Sequence, residues 1–136
     1  MAARFLVNID VDDLERGIGF YTAAFELTVG RRFGDDGVEL LGGPAPIYLL
    51  RKPAGSAATA AAPAVRDYRR HWTPVHLDFV CDDVDATVDR AVALGATLEQ
   101  PPRSHAWGRI ALLADPFGHG LCVLRFLNRG YDEVAS

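Results

Sequence analysis

The chain has 136 residues, of which 49% are hydrophobic and 24% are charged, and this composition excludes a chain that is disordered as a whole. Its formal net charge of −4 argues against a nucleic-acid-binding surface, and no apolar run reaches the roughly 20 residues that a membrane helix needs. Because the N-terminus also lacks a basic-then-apolar segment, we expect a cytoplasmic protein without nucleic-acid or membrane partners.

The first half of the chain predicts one strand, one helix and three further strands. Residues 4–11 have the pattern of a half-buried strand. One face is apolar, with Phe5, Val7, Ile9 and Val11, and the other carries Leu6, Asn8 and Asp10. Asp12 and Glu15 form a capping-box-like start for a helix that runs to about Phe25. Three apolar runs separated by glycine-rich hairpin turns then lie at 28–33, 38–41 and 46–50.

Residues 52–73 are rich in alanine, proline and glycine and are predicted to be the only linker. A short helix over its later part and a mobile lid over a cavity both stay open. Arg66, Arg69 and Arg70 form a small basic cluster here, which we interpret as part of a solvated loop.

The second half repeats the order of the first. A strand over 75–81 precedes a helix over 83–94, for which Asp82 is the predicted N-cap and Gly95 the C-cap. Three strands follow, near 97–101, 107–114 and 119–126. We therefore predict a single domain, 1–136, built from modules 4–51 and 74–127, with the linker 52–73 between them and a fraying tail, 128–136.

The doubled strand–helix–three-strand order resembles the vicinal oxygen chelate superfamily, as do DDLERGIGFY at the first helix and WGRIALLADPFGHGLCVL in the second half. This superfamily includes glyoxalases, bleomycin resistance proteins and dioxygenases. The resemblance spans about Arg4 to Phe126 and implies an α+β fold of two βαβββ modules that pair into an open half-barrel. It also implies a homodimer. One departure is Phe25-Glu26, where the family usually has Leu-Gly at the end of the first helix.

Metal-dependent members of this superfamily carry a His or Gln, a Glu, a His and a Glu on four strands. His76 matches the third of these positions, whereas Tyr48 and Cys122 occupy the second and fourth, where the metal enzymes have Glu. Counting back from the first helix places Leu6 at the first position, and aligning VNID with VHLD places Asn8 there instead. Because only one of the four ligands is present, we expect no metal and no other cofactor. A divalent metal ion at an atypical site around His76 is the alternative.

Cys81 and Cys122 both lie in apolar strands, where a reduced, structural thiol is typical. The apolar surroundings of Cys122 are expected to raise the pKa of its thiol, which disfavours a thiol–imidazole catalyst made with His76. Asp78 lies on the same strand face as His76 and could be its partner.

If no metal is bound, a cavity lined by aromatic and small side chains is what a small-molecule site requires. The candidate ligand-binding residues are His76, Tyr48, Trp107, Cys122, Asn8, Phe33 and His105. We predict a binding protein of the bleomycin-resistance type that takes a small organic molecule, without catalytic residues. The alternatives are a metal-dependent lyase, isomerase or dioxygenase at His76, and a ligand-free protein whose modules serve only assembly.

Overall fold

A computed structural model describes all residues, 1–136. The chain divides into two compact units, Met1–Arg69 and Arg70–Ser136, and the boundary falls within the predicted linker. Each unit contains one four-stranded mixed sheet and one α-helix. The predicted α+β fold is confirmed, and neither sheet closes into a barrel. Neither helix has the length and the apolar character that a membrane-spanning segment requires.

The first unit has the strand order β1-β4-β3-β2, in which β1 and β4 are parallel and the other neighbours are antiparallel. The elements are β1 (Val7–Val11), α1 (Leu14–Phe25), β2 (Thr28–Phe33), β3 (Gly37–Leu41) and β4 (Ile47–Arg51). The helix packs so closely on one face of this sheet that a Cβ added to Gly17 would lie 3.1 Å from Leu49 and 3.2 Å from Val11.

The second unit repeats this topology with the strand order β5-β8-β7-β6. The elements are β5 (Leu77–Val80), α2 (Val84–Ala93), β6 (Thr97–Ser104), β7 (Gly108–Ala114) and β8 (Gly120–Phe126). The predicted strand 75–81 is wrong at its start, because pairing with β8 begins at Leu77, opposite Leu121. Val75 and His76 therefore precede the strand, and Val75 is exposed.

The predicted helix N-caps are each one residue too early, whereas Gly95, the predicted C-cap, directly follows the observed C-cap Leu94 and has the expected positive φ of 109°. The observed N-caps are Asp13 and Asp83, whose backbones are extended and whose carboxylates accept hydrogen bonds from the N–H groups of Arg16 and Ala86 at 3.1 and 3.0 Å. Glu15 does not complete a capping box, because its carboxylate pairs with Arg32. Two consecutive aspartates begin each helix, so both were plausible caps.

The linker contains no helix. Ala57 and Val65 form an isolated antiparallel bridge, and Arg66 pairs with Asp10 of β1 at 2.6 Å. The prediction of a solvated basic cluster is wrong for Arg66, whose side chain is only 16% exposed. Arg69 and Arg70 are more exposed and pair with acidic side chains of their own.

The tail is more ordered than predicted. Residues Gly130–Glu133 form a 3-10 turn in which Gly130 is buried. The ring of Tyr131 lies 4.9 Å from Phe126 and 5.2 Å from Trp107, centroid to centroid, so aromatic packing holds the chain against β8.

Candidate functional site

The helix-free face of the first sheet carries a row of polar side chains. Asn8, Tyr48 and Glu39 are direct neighbours across β1, β4 and β3, and paired residues of adjacent strands point to the same face. Leu49 contacts the helix side, so Tyr48, the adjacent residue, points to the opposite face. A polar row therefore lies on a face that no helix of this unit covers.

Arg31 completes this row and forms a hydrogen-bonded triad with Glu39 and Tyr48. The Arg31 Nε and Nη2 atoms donate to the two Glu39 carboxylate oxygens at 3.2 and 2.8 Å. The Tyr48 hydroxyl donates to Glu39 Oε2 at 2.7 Å and accepts from Arg31 Nη2 at 2.9 Å. The hydrogen bonds from Arg31 and then from Tyr48 lower the pKa of Glu39 to about 2. Glu39 is therefore a fixed anion at neutral pH rather than a proton acceptor.

An exposed aromatic ring lies beside this triad. The Phe33 ring centroid is 6.2 Å from that of Tyr48, and the Arg31 guanidinium carbon lies 5.9 Å from the Phe33 centroid. The Phe33 residue is 47% exposed and the Arg31 side chain 69% exposed. This edge of the first sheet thus presents a ring and a cation together, an arrangement suited to a planar ligand that carries negative charge.

In the second unit Asp78 and Cys122 share one face of the sheet, and His76, which lies just before β5, approaches Asp78. Asp78 and Cys122 are direct partners across β5 and β8, and His76 Nε2 lies 3.1 Å from Asp78 Oδ1. Burial, followed by the charge of Asp78 and a hydrogen bond to it, raises the pKa of the Cys122 thiol to about 11. The predicted direction of this shift is confirmed, and a thiol that holds its proton so firmly is a poor nucleophile.

The two units can be compared position by position from their helix starts. His76 precedes the N-cap Asp83 by seven residues, and Leu6 precedes Asp13 by seven. Leu6 is therefore the counterpart of His76, and Asn8 is the counterpart of Asp78. The four family ligand positions then hold Leu6, Tyr48, His76 and Cys122. Leu6 has no atom that can bind a metal, and the Tyr48 hydroxyl is already hydrogen-bonded to Glu39. These positions therefore do not provide the family's four metal ligands.

The structure groups the predicted site residues by unit. Asn8, Phe33 and Tyr48 belong to the first, and the remaining four to the second. His105 and Trp107 stack on each other at the turn between β6 and β7, with centroids 5.5 Å apart. Leu112 is the β7 partner of Cys122, and Trp107 precedes Leu112 by five residues, a separation of about 16 Å along an extended strand. The stacked pair is therefore not adjacent to Cys122 along this strand.

Two members of the first-unit triad, Arg31 and Glu39, were not predicted from the sequence. The signal for Glu39 is a charged residue between Val38 and Leu40 in a strand that is otherwise apolar. Gly30 is a second signal, because a Cβ there would lie 2.6 Å from Glu39 Oε1, so the bulged strand β2 needs glycine beside the carboxylate.

A family model described as a glyoxalase-like domain matches residues 6–124. The chain belongs to this family, within the vicinal oxygen chelate superfamily. Among curated proteins it is 35% identical over 122 residues to the anthracycline biosynthesis protein DnrV of Streptomyces peucetius, a match that covers 88% of this chain and 41% of the relative. The chain thus spans less than half the length of that relative.

Solved structures with the same fold include two proteins of this superfamily. A glyoxalase/bleomycin resistance protein/dioxygenase family enzyme from Burkholderia phytofirmans PsJN has a TM-score of 0.69 at 22% identity, covering 90% of this chain and 97% of that one. The fosfomycin resistance protein FosX of Listeria monocytogenes has a TM-score of 0.69 at 18% identity, covering 95% and 97%. At these identities the likeness concerns the fold.

Proposed function

We propose that this glyoxalase-like protein binds a small organic molecule on the helix-free face of the first sheet, without the four-residue metal set of the catalytic members. The ligand class that this face fits is a planar aromatic molecule with an anionic or phenolic oxygen. The observation that carries the proposal is the Arg31–Glu39–Tyr48 triad beside the exposed ring of Phe33.

The triad pre-organises Arg31 for binding. Its Nε and Nη2 atoms donate to Glu39 and Tyr48, so the guanidinium plane is fixed while Nη1 stays available for a ligand oxygen. A side chain that is already ordered loses less conformational entropy on binding than a mobile one. Most of the Arg31 side chain is nevertheless exposed, so a ligand can reach it.

Phe33 supplies the apolar part of the contact. A ring bound against Phe33 and Tyr48 would bury aromatic surface and lie beside the guanidinium, which adds a cation–π contribution of about 0.5–1 kcal/mol at an exposed site. The relation to a protein named for anthracycline biosynthesis supports this class, because anthracyclines contain planar fused rings with phenolic oxygens.

Equilibrium titration with quinizarin-2-sulfonate, a hydroxyanthraquinone, tests the proposal through the fluorescence of the ligand itself. We expect saturable binding at one site per chain and at least tenfold weaker binding of unsubstituted anthraquinone, which lacks the anionic and phenolic oxygens. Equal affinity for the two compounds would contradict the role of Arg31. Absence of saturable binding by either would contradict the ligand class.

The homodimer implied by the family resemblance is part of this proposal. Sedimentation equilibrium of the metal-free protein is expected to give twice the chain mass, and a chain-mass result would contradict it.

A further inference from the structure

We propose that His76, Asp78 and Cys122 form a three-donor site for a thiophilic divalent cation, of which Zn²⁺ is the best fit. The imidazole, carboxylate and thiol ligand atoms all lie within 4.8 Å of one another. Two of these residues occupy family ligand positions, but Asp78 does not, and all three come from the second unit. The inference concerns metal binding alone and stands apart from the aromatic ligand proposed for the first sheet.

The strand register explains why these three side chains meet. Asp78 and Cys122 are paired across parallel strands, so their side chains leave the same face of the sheet. His76 precedes Asp78 by two residues, which is the spacing that returns a side chain to the same face of an extended chain. Two neighbouring strands are therefore enough to assemble the site.

The distances are compatible with zinc. Zn²⁺ binds Cys sulfur at about 2.3 Å and His nitrogen or Asp oxygen at about 2.0–2.2 Å, so ligand atoms around a tetrahedral ion lie roughly 3.3–3.8 Å apart. His76 Nε2 and Asp78 Oδ1 are already 3.1 Å apart, and the 4.8 Å limit on the trio leaves only a small contraction. Rotation of the exposed His76 side chain can supply it.

The donor set selects among metals. A mixture of nitrogen, oxygen and sulfur suits Zn²⁺ and Co²⁺, whereas Mg²⁺ and Ca²⁺ prefer oxygen ligands throughout. On binding, the Cys122 sulfur forms a bond to the metal and its proton leaves to solvent. The thiolate and the Asp78 carboxylate then balance the two positive charges of the ion.

The site is also accessible. The side chains of His76 and Asp78 are 53% and 35% exposed, while Cys122 lies buried beneath them. An ion could therefore enter from solvent and would keep a position open for water or another ligand, as three-ligand zinc sites do.

Titration of the chelator-treated protein with Co²⁺ alone tests the inference, because a cobalt–thiolate bond gives a charge-transfer absorption that an imidazole–carboxylate pair cannot give. We expect one equivalent of Co²⁺ to produce this band and one equivalent of Zn²⁺ to abolish it. Cys122→Ser should eliminate the band, whereas Cys81→Ser, which alters the other free cysteine, should retain it.

Two exposed positions keep the test decisive if Cys122→Ser perturbs folding. His76→Ala and Asp78→Asn should each weaken cobalt binding at least tenfold, and the control His105→Ala should not, with circular dichroism confirming that each variant is folded. A missing band in the wild-type protein, a band that persists in Cys122→Ser, or an equal loss in His105→Ala would overturn the proposal. None of these readouts involves an organic ligand, so failure here leaves the proposed function of the first sheet standing.

Discussion

The hydroxyl of Tyr48 donates a 2.7 Å hydrogen bond to Glu39, its direct neighbour on the adjacent strand. This bond and the two-point contact from Arg31 keep a buried carboxylate ionised on a sheet face. A buried carboxylate with too few hydrogen-bond donors would destabilise the fold. Removal of Arg31 or Tyr48 would therefore leave Glu39 without the donors that it needs. The same dependence fixes the orientation of Arg31, the residue on which the proposed ligand site is centred.

Stability in acid should report on this triad. Because the folded-state pKa of Glu39, about 2, lies below its ordinary 4.5, ionised Glu39 stabilises the fold above pH 4.5, and this contribution is lost as the pH falls towards 2. In urea unfolding between pH 6 and pH 2, the stability difference between the wild-type protein and Glu39→Gln should shrink across that window. A difference that stays constant with pH would contradict this account, and an Arg31→Gln background should remove most of the pH dependence.

The end of the first helix offers a stabilising substitution. Glu26 is exposed and left-handed, with φ 56° and ψ 38°, a conformation that costs a residue with a side chain roughly 1–2 kcal/mol. Glu26→Gly should therefore raise the free energy of unfolding by about 1 kcal/mol and Tm by about 3–5 °C, measured by calorimetry. Glu26→Ala keeps the unfavourable conformation and should give no such gain. An equal rise in both variants would show that the charge of Glu26 matters rather than its backbone.

The two thiols should differ in reactivity. In the metal-free protein at pH 8, a pKa of about 11 leaves Cys122 with roughly 100-fold less thiolate than an ordinary cysteine. Alkylation by iodoacetamide, followed by mass spectrometry, should modify the half-buried Cys81 first, and both residues at similar rates in urea. Faster modification of Cys122 in the native state would contradict its burial.

The ion pair between Arg66 and Asp10 should hold the linker against β1. The Arg66 side chain is 16% exposed and also donates to Ser56 and to the Ala57 carbonyl, so its loss removes several bonds at once. Arg66→Gln should accelerate proteolysis within residues 52–69 several-fold, because local opening becomes easier. Arg69→Gln is the matched control, since that side chain is 89% exposed. Equal acceleration in the two variants would show that the Arg66 contacts are not what orders the segment.

The fold could be predicted from the sequence to a large extent because alternation, helical spacing and turn residues are local signals. The strand over 28–33 was predicted with its observed limits, and both helices were placed to within about one residue. The N-caps were missed because Asp12-Asp13 and Asp82-Asp83 each offer two capping carboxylates. Only the backbone conformation distinguishes between them.

The candidate sites were harder to predict because they depend on register between strands that are distant in sequence. Pairing of β3 with β4 brings Glu39 to Tyr48, and a bulge in β2 brings Arg31 to both. Neither relationship is visible in a single strand. The His76–Asp78 pair was anticipated, since a two-residue spacing in an extended segment is a local pattern. Cys122 was placed near His76 only through the family resemblance, and its direct pairing with Asp78 follows from the register of β5 and β8.

Binding of quinizarin-2-sulfonate to two neighbouring arginine variants tests the central claim most directly. Arg31 lies in the triad on the helix-free face, whereas Arg32, the next residue, pairs with Glu15 of the helix. Arg31→Lys keeps the charge but loses the two-point geometry, so we predict at least tenfold weaker binding, while Arg32→Lys should bind as the wild-type protein does. Equal affinities in the two variants, or weakening by Arg32→Lys alone, would contradict the assignment of ligand binding to this face of the first sheet.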